Sequence, residues 1–147
     1  MRYSIRSLIN DAKNYAKKGE WNPVDKQIIP RLQKYRASSV MKYLPGLFRS
    51  QNGDVRDLAG TVATAIKAKD LPNIQKVRLR TALQRELFSE DPNVFALFRA
   101  AVALTEHGIY EDKDLPRIRE IFDRTEIQND PELKEIADRY KIKTGNP

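Results

Sequence analysis

No cysteine occurs among the 147 residues, so disulfides, thiol chemistry, cysteine-ligated metals and iron–sulfur clusters are excluded. Histidine is almost as scarce. His107 is the only one, and without a cysteine or a second histidine beside it a conventional zinc site is excluded too. A lone histidine next to Gly108 at a helix end has a simpler use, offsetting the helix dipole. Glycine-rich phosphate loops and a G-x-S-x-G elbow are missing, and no catalytic constellation can be assembled. No apolar run is long enough to cross a bilayer, and the N-terminal stretch has neither a signal-peptide core nor a small-residue cleavage site. Strand patterns, low-complexity segments and Gly/Ser-rich linkers are also missing. The expectation is a soluble cytoplasmic protein that is not an enzyme, with no metal, no cofactor and no membrane partner.

Charge is plentiful and unevenly placed. The net value of +7 hides 18 Lys+Arg against 6 Asp+Glu over residues 1–85, or +12, and 9 against 14 over residues 86–147, or −5. Such a split suggests a basic surface for an acidic partner, or head-to-tail attraction between copies. With 40% apolar residues, the length suffices for one helical domain over 1–147 with a real core.

That core centres on the stretch DPNVFALFRAAVALTEHG, residues 91–108. Asp91 suits an N-cap and Pro92 the first helical position, while Gly108 suits the residue past the helix end. Only Arg99 is charged between Val94 and Leu104, and the apolar residues go all the way round the wheel, so other helices must cover this one on most sides.

Three-and-four spacing predicts the rest. The first helix spans about 4–18, with Ile5, Leu8, Ile9, Ala12, Tyr15 and Ala16 inward. Asn22, Pro23 and Asp25 then suit the cap, first position and capping box of a second helix. Trp21 stands before that cap and packs on its own helix, and Pro30 bends the helix near Lys26. A third helix is capped by Ser38 or Ser39, reaches Phe48 and bends at Pro45. A fourth runs from after Asp54 to about Lys69. The fifth, about 73–88, carries Leu79, Leu83 and Leu87 on one side and Ile74, Val77 and Phe88 on the opposite side, which predicts a neighbour on each. A seventh spans about 114–124 and an eighth about 131–140, with residues 141–147 as a loose tail.

Three helix starts look alike: Gly53-Asp54-Val55-Arg56-Asp57-Leu58-Ala59, Asp91-Pro92-Asn93-Val94, and Asp130-Pro131-Glu132-Leu133-Lys134-Glu135-Ile136-Ala137. The aspartates are 37 and 39 residues apart, a period that suits two helices per stacked unit. At these residues, and at Tyr43-Leu44-Pro45-Gly46-Leu47-Phe48, the chain resembles the HEAT-like helical repeats. The resemblance covers about residues 40–140. The second unit departs from it, with Phe95 where a basic residue is expected and Phe98 where a small one is. What it implies is an all-α fold of about eight helices, in a short right-handed stack of antiparallel helix pairs. Residues 37–140 form the repeats and 1–36 lie outside them. It also implies a binding role, and it transfers no catalytic residue. Some DNA-repair glycosylases are built from such repeats, but they need an exposed aromatic cleft and a catalytic carboxylate, neither of which can be placed here.

Two clusters of charge remain. Glu111, Asp112 and Asp114 lack the spacing of a calcium loop and suit helix capping better. Arg6, Lys13, Lys17, Lys34, Arg36, Arg56, Lys76, Arg78, Arg80 and Arg85 could share one side and meet a phosphate-bearing or acidic partner. Tyr3, Tyr15, Tyr35 and Tyr43 lie in the same half, the last three at core-facing positions. Arg78 and Arg85, seven apart, share a helix face, and Arg80 points elsewhere. The leading expectation is a non-catalytic adaptor that binds another protein. The alternative is a nucleic-acid-binding accessory protein that uses residues 1–85. Scattered charge beside an exposed apolar patch favours the first, and a continuous basic groove the second. For the central helix, Ala101→Asp brings an unpaired charge into the core and should destabilise by more than about 3 kcal/mol. A thermal melt within a few degrees of wild type would contradict its central position.

Overall fold

The computed structural model describes residues 4–90 and 93–144. Among the described residues every regular element is a helix. Helix α1 (Ile5–Lys17) starts on Ser4, whose hydroxyl accepts from the Ser7 amide at 3.1 Å. It ends where Gly19, at φ +72°, turns the chain and the Gly19 and Glu20 amides donate to Ala16 and Tyr15.

The next helical stretch departs from expectation at both ends of its first half. Trp21 is its first residue, and Glu20, not Asn22, holds the cap position without a side-chain bond. Three segments follow one another: α2 (Trp21–Pro23), a π-helical stretch Val24–Ile28, and α3 (Ile29–Leu32). Pro30 explains the widening. It has no N–H for the helical ladder, and in the wider turn before it the Ile29 amide reaches Val24 O, five residues back.

The expected third helix is two short ones, α4 (Ala37–Met41) and α5 (Leu44–Phe48). Arg36, not a serine, precedes α4. Pro45 sits in the first turn of α5, where a missing amide leaves nothing unpaired, so it starts a helix instead of bending one. Helix α6 (Gly53–Ala65) is capped by Asn52, whose Oδ1 accepts from the Asp54 and Val55 amides at 2.9 and 3.2 Å. It stops short of Lys69, with Ile66 extended and a 3-10 turn at Ala68–Asp70. Side chains from other helices satisfy its last carbonyls. Gln33 Nε2 donates to Ala65 O at 3.3 Å, and His107 Nε2 to Ala63 O at 2.6 Å. A carbonyl only accepts, so that ring nitrogen carries the hydrogen. His107 therefore serves the end of a neighbouring helix as well as closing its own.

Helices α7 (Asn73–Leu87) and α8 (Val94–Glu106) follow. The cap of α8 is Asn93, whose Oδ1 accepts from the Phe95 and Ala96 amides at 3.1 and 3.3 Å. The expected cap, Asp91, and Pro92 lie outside the described residues. Gly108, at φ +62°, ends α8 as expected. Helix α9 (Leu115–Phe122) follows a 3-10 turn at Asp112–Asp114, and α10 (Thr125–Gln128), which periodicity misses, inserts a fully buried Ile127. Helix α11 (Pro131–Lys143) is capped by Asp130. It continues past Tyr140, so residues 141–144 are not a loose tail: Lys141 pairs with Asp123, and Thr144 is buried with its carbonyl accepting from Arg119 Nη2 at 3.2 Å. The rest of the expected tail lies outside the described residues.

One cluster of buried side chains runs from Leu8 to Tyr140, and α8 contributes most to it. Phe98 of α8 meets Phe122 of α9 edge to face, with centroids 5.8 Å apart. The closest approach is between α6 and α8. A Cβ placed on Gly60 would lie 2.6 Å from Arg99 Cβ and 3.0 Å from the Arg99 carbonyl carbon, and one on Gly53 would crowd the Asn93 side chain. Gly53 faces Asn93 and Gly60 faces Arg99 and Ala100, 39 or 40 residues on in each case, so the two helices run parallel. Gly60→Ala therefore should destabilise by about 1–3 kcal/mol, although alanine is the better helix former. A melt at or above wild type would show that α6 and α8 can move apart.

Candidate interaction surfaces

Helix α7 packs chiefly on α8, with smaller contacts to α4 and α5. Leu79, Leu83 and Leu87 are fully buried, as expected. Its carboxyl end is closed by Arg117 of α9, whose Nε donates to Leu87 O at 2.9 Å and Nη2 to Ser89 O at 3.2 Å. Gln84 bonds Glu111 Oε1 at 2.7 Å and Asp114 Oδ2 at 2.9 Å, which ties α7 to the turn before α9. The acidic cluster at 111–114 thus forms a capping box, and Asp114 Oδ2 also accepts from the Glu111 amide at 2.8 Å. The Gln84 bond holds the Glu111 carboxyl below its ordinary pKa.

The opposite side of α7 is left uncovered, contrary to expectation: Ile74, Val77 and Phe88 are 62%, 49% and 49% exposed. Beside them lies a groove of about 450 Å³ between α5 and α7. Pro45, Phe48, Val77 and Ala82 give it an apolar lining, with Arg49, Arg78 and Arg85 also on its walls. Glu86 lines it too, and Arg56 Nε meets Glu86 Oε1 at 3.3 Å. Burial raises the Glu86 pKa, an effect that Arg56 partly offsets.

Two adjoining grooves flank the carboxyl end of α6. One, of about 530 Å³, is lined by Lys67, Lys69 and Lys76 together with Gln33, Glu106 and His107. The other, of about 440 Å³, holds Lys34, Arg36, Lys67 and Asp70. Glu106 is not an open carboxylate: Tyr140 Oη donates to it at 2.7 Å and Lys143 Nζ at 3.2 Å, which lowers its pKa, while burial and that bond push Tyr140 up to about 12.

A fourth cleft, of about 400 Å³, is acidic. Asp25, Asp54, Asp57, Asp130 and Glu132 surround a single cation, Arg99, with Trp21 and Phe95 on the walls. Trp21 is half-buried, packed against the core at the edge of this cleft. Asp54 lies in the first turn of α6, and Asp130 caps α11. Asp57 is 8% exposed. Arg99 Nε stands 3.5 Å from its Oδ1, which accepts no hydrogen bond among the described residues. Burial therefore outweighs the arginine and pushes Asp57 up to about 6.

The basic residues singled out in the sequence do not form one surface. Arg78 and Arg85 come together in the α5–α7 groove, and Arg80 instead lies within electrostatic reach of Glu111, as their spacing implied. Lys34 and Arg36 line one groove at the end of α6, and Lys76 lines the other. Arg6 and Lys17 are exposed on α1 and Lys13 is half-buried there; none of the three lines any of these four spaces. Arg56 is turned inward, its charge met by Glu86 and its Nη1 donating to Ser50 O. Arg49, Lys67 and Lys69 were missed because they sit at helix ends and in turns, where no helical period marks a face. Tyr15, Tyr35 and Tyr43 pack against the core, and Tyr3 lies outside the described residues. No group of acidic or histidine side chains suited to a metal occurs among the described residues, and none of their helices is long and apolar enough to cross a membrane.

Comparison with family models, curated proteins and solved structures finds no match to this chain. The acidic cleft sets a pH dependence that can be measured directly. Folded Asp57 holds its proton more tightly than the unfolded chain does, since its pKa moves from 3.8 to about 6. Stability should therefore fall as pH rises between those values and stay lower above them. Asp57→Asn should flatten that slope in melts from pH 4 to pH 7, and an unchanged slope would assign it to other groups.

Proposed function

We propose that this chain is a non-catalytic helical adaptor that binds another protein, with the exposed side of α7 as its contact surface. The observation that carries the reading is the row of Ile74, Val77 and Phe88, held open on a helix whose opposite side is locked by Leu79, Leu83 and Leu87. A helix fixed on one side that leaves Ile74 and Val77 exposed near its start and Phe88 exposed just past its end offers apolar contacts for association.

We also read the helices as a short right-handed, HEAT-like stack of antiparallel pairs. In support, α6 and α8 run parallel at an offset of 39 or 40 residues, close to the interval between the similar helix starts. In this reading α5 with α6 and α7 with α8 are successive pairs. The adaptor would work in the cytoplasm.

Nucleic acid is the second reading, and Lys34, Arg36, Lys67, Lys69 and Lys76 around the end of α6 favour it. Against it, Arg56 is neutralised internally, while Arg78 and Arg85 border an apolar lining rather than extending the lysine grooves. Capture from extract of the source cells, with and without nuclease, separates the two. The wild type should retain a protein that survives nuclease, and Ile74→Ser, Val77→Ser, Phe88→Ser should lose it. Equal capture by both forms removes the adaptor reading. Capture that nuclease abolishes, with binding to oligonucleotides that weakens steeply above about 50 mM salt, replaces it with the second.

A further inference from the structure

We infer that the α5–α7 groove receives an acidic amphipathic helix, with carboxylates seven residues apart on the side that faces α7. This rests on reading α7 as the protein-binding surface, and adds what the partner must look like.

Charge comes first. Arg49, Arg78 and Arg85 line the groove, and none of them is in an ion pair among the described residues. Glu86 is the one carboxylate in the lining, and it is matched by Arg56 at 3.3 Å. The groove therefore presents three uncompensated cations round an apolar floor. Solubility alone does not require cations to be gathered about Pro45, Phe48, Val77 and Ala82. A partner with apolar anchors and negative flanks satisfies both features at once.

Spacing comes second. Arg78 and Arg85 are two turns apart on one helix, about 10.5 Å along its axis. Thr81 and Ala82 lie between them, one on each side of the line that joins the two arginines, and Val77 lies beyond Thr81. A helix laid along α7 meets that pattern with acidic residues at the same seven-residue interval and apolar residues three or four from each. An extended segment has nothing to pair with, because no strand edge exists among the described residues. A second copy docked by the same face would set Arg78 and Arg85 against their own counterparts, which the repulsion of like charges opposes.

The test selects binders from a displayed library of random helical peptides, about 16 residues long, on the immobilised full-length protein. Enriched sequences should be acidic, with carboxylates seven apart and apolar residues between. A free, labelled peptide from that set should lose about tenfold or more in affinity against Arg78→Glu, Arg85→Glu. It should bind unchanged to Lys26→Glu, Arg139→Glu, which carries the same net charge elsewhere on the surface. Circular dichroism confirms that both variants are folded. Enrichment of basic or uncharged peptides, or of none, overturns the inference. So does equal weakening by the two double variants, since net charge alone would then explain the binding. If the serine triple variant loses its captured protein and yet the selected peptides are not acidic, the adaptor reading survives and this one falls. If capture does not depend on α7, both fall.

Discussion

At Gly60 the backbones of α6 and α8 approach until no side chain fits between them. Two 13-residue helices lying parallel and this close cannot be joined by a short turn. The chain has to return along the outside, and α7 is that return. It packs on α8 through Leu79, Leu83 and Leu87, and the side that carries Ile74 and Val77 faces away from the pair. The same approach brings Arg99 beside the buried Asp57, and it sets the carboxyl end of α6 within reach of His107.

The outward side of α7 is thus a consequence of topology, and what occupies it is a matter of composition. Apolar side chains at Ile74, Val77 and Phe88 cost solubility and add nothing to the core. Arginines at 78 and 85 stand beside them without an internal partner. Arg56, one helix over, shows the contrast: a cation in the same charged half becomes structural once a buried carboxylate is placed against it. Sequence charge alone cannot separate these two fates.

Much of the fold was legible because periodicity and end signals agreed. Ser4 and Gly19 bound α1, Gly108 ends α8, and the all-round apolar wheel of residues 94–104 marks the most enclosed helix. Proline was ambiguous. Pro45 could bend a long helix or begin a short one, and only the turn at Lys42 and Tyr43 before it decides. The four-residue α10 is too short to show a period. In Asp91-Pro92-Asn93 two capping residues stand two apart, and the sequence favoured the one followed by proline, whereas Asn93 takes the amides. The wheel of α7 showed correctly which side chains oppose each other. It could not show which of the two sides stays exposed, since that depends on helices far away in sequence. The pairing of Arg56 with Glu86, thirty residues on, was hidden for the same reason.

The imidazole of His107 is the chain's only one, and it bridges the ends of two helices that meet nowhere in sequence. That makes it a built-in spectroscopic probe. Its ring protons give a single set of signals with no other histidine to overlap them. Their shift reports whether the carboxyl ends of α6 and α8 are docked. A binding event at a distant surface that loosens the parallel pair would be visible there without any label.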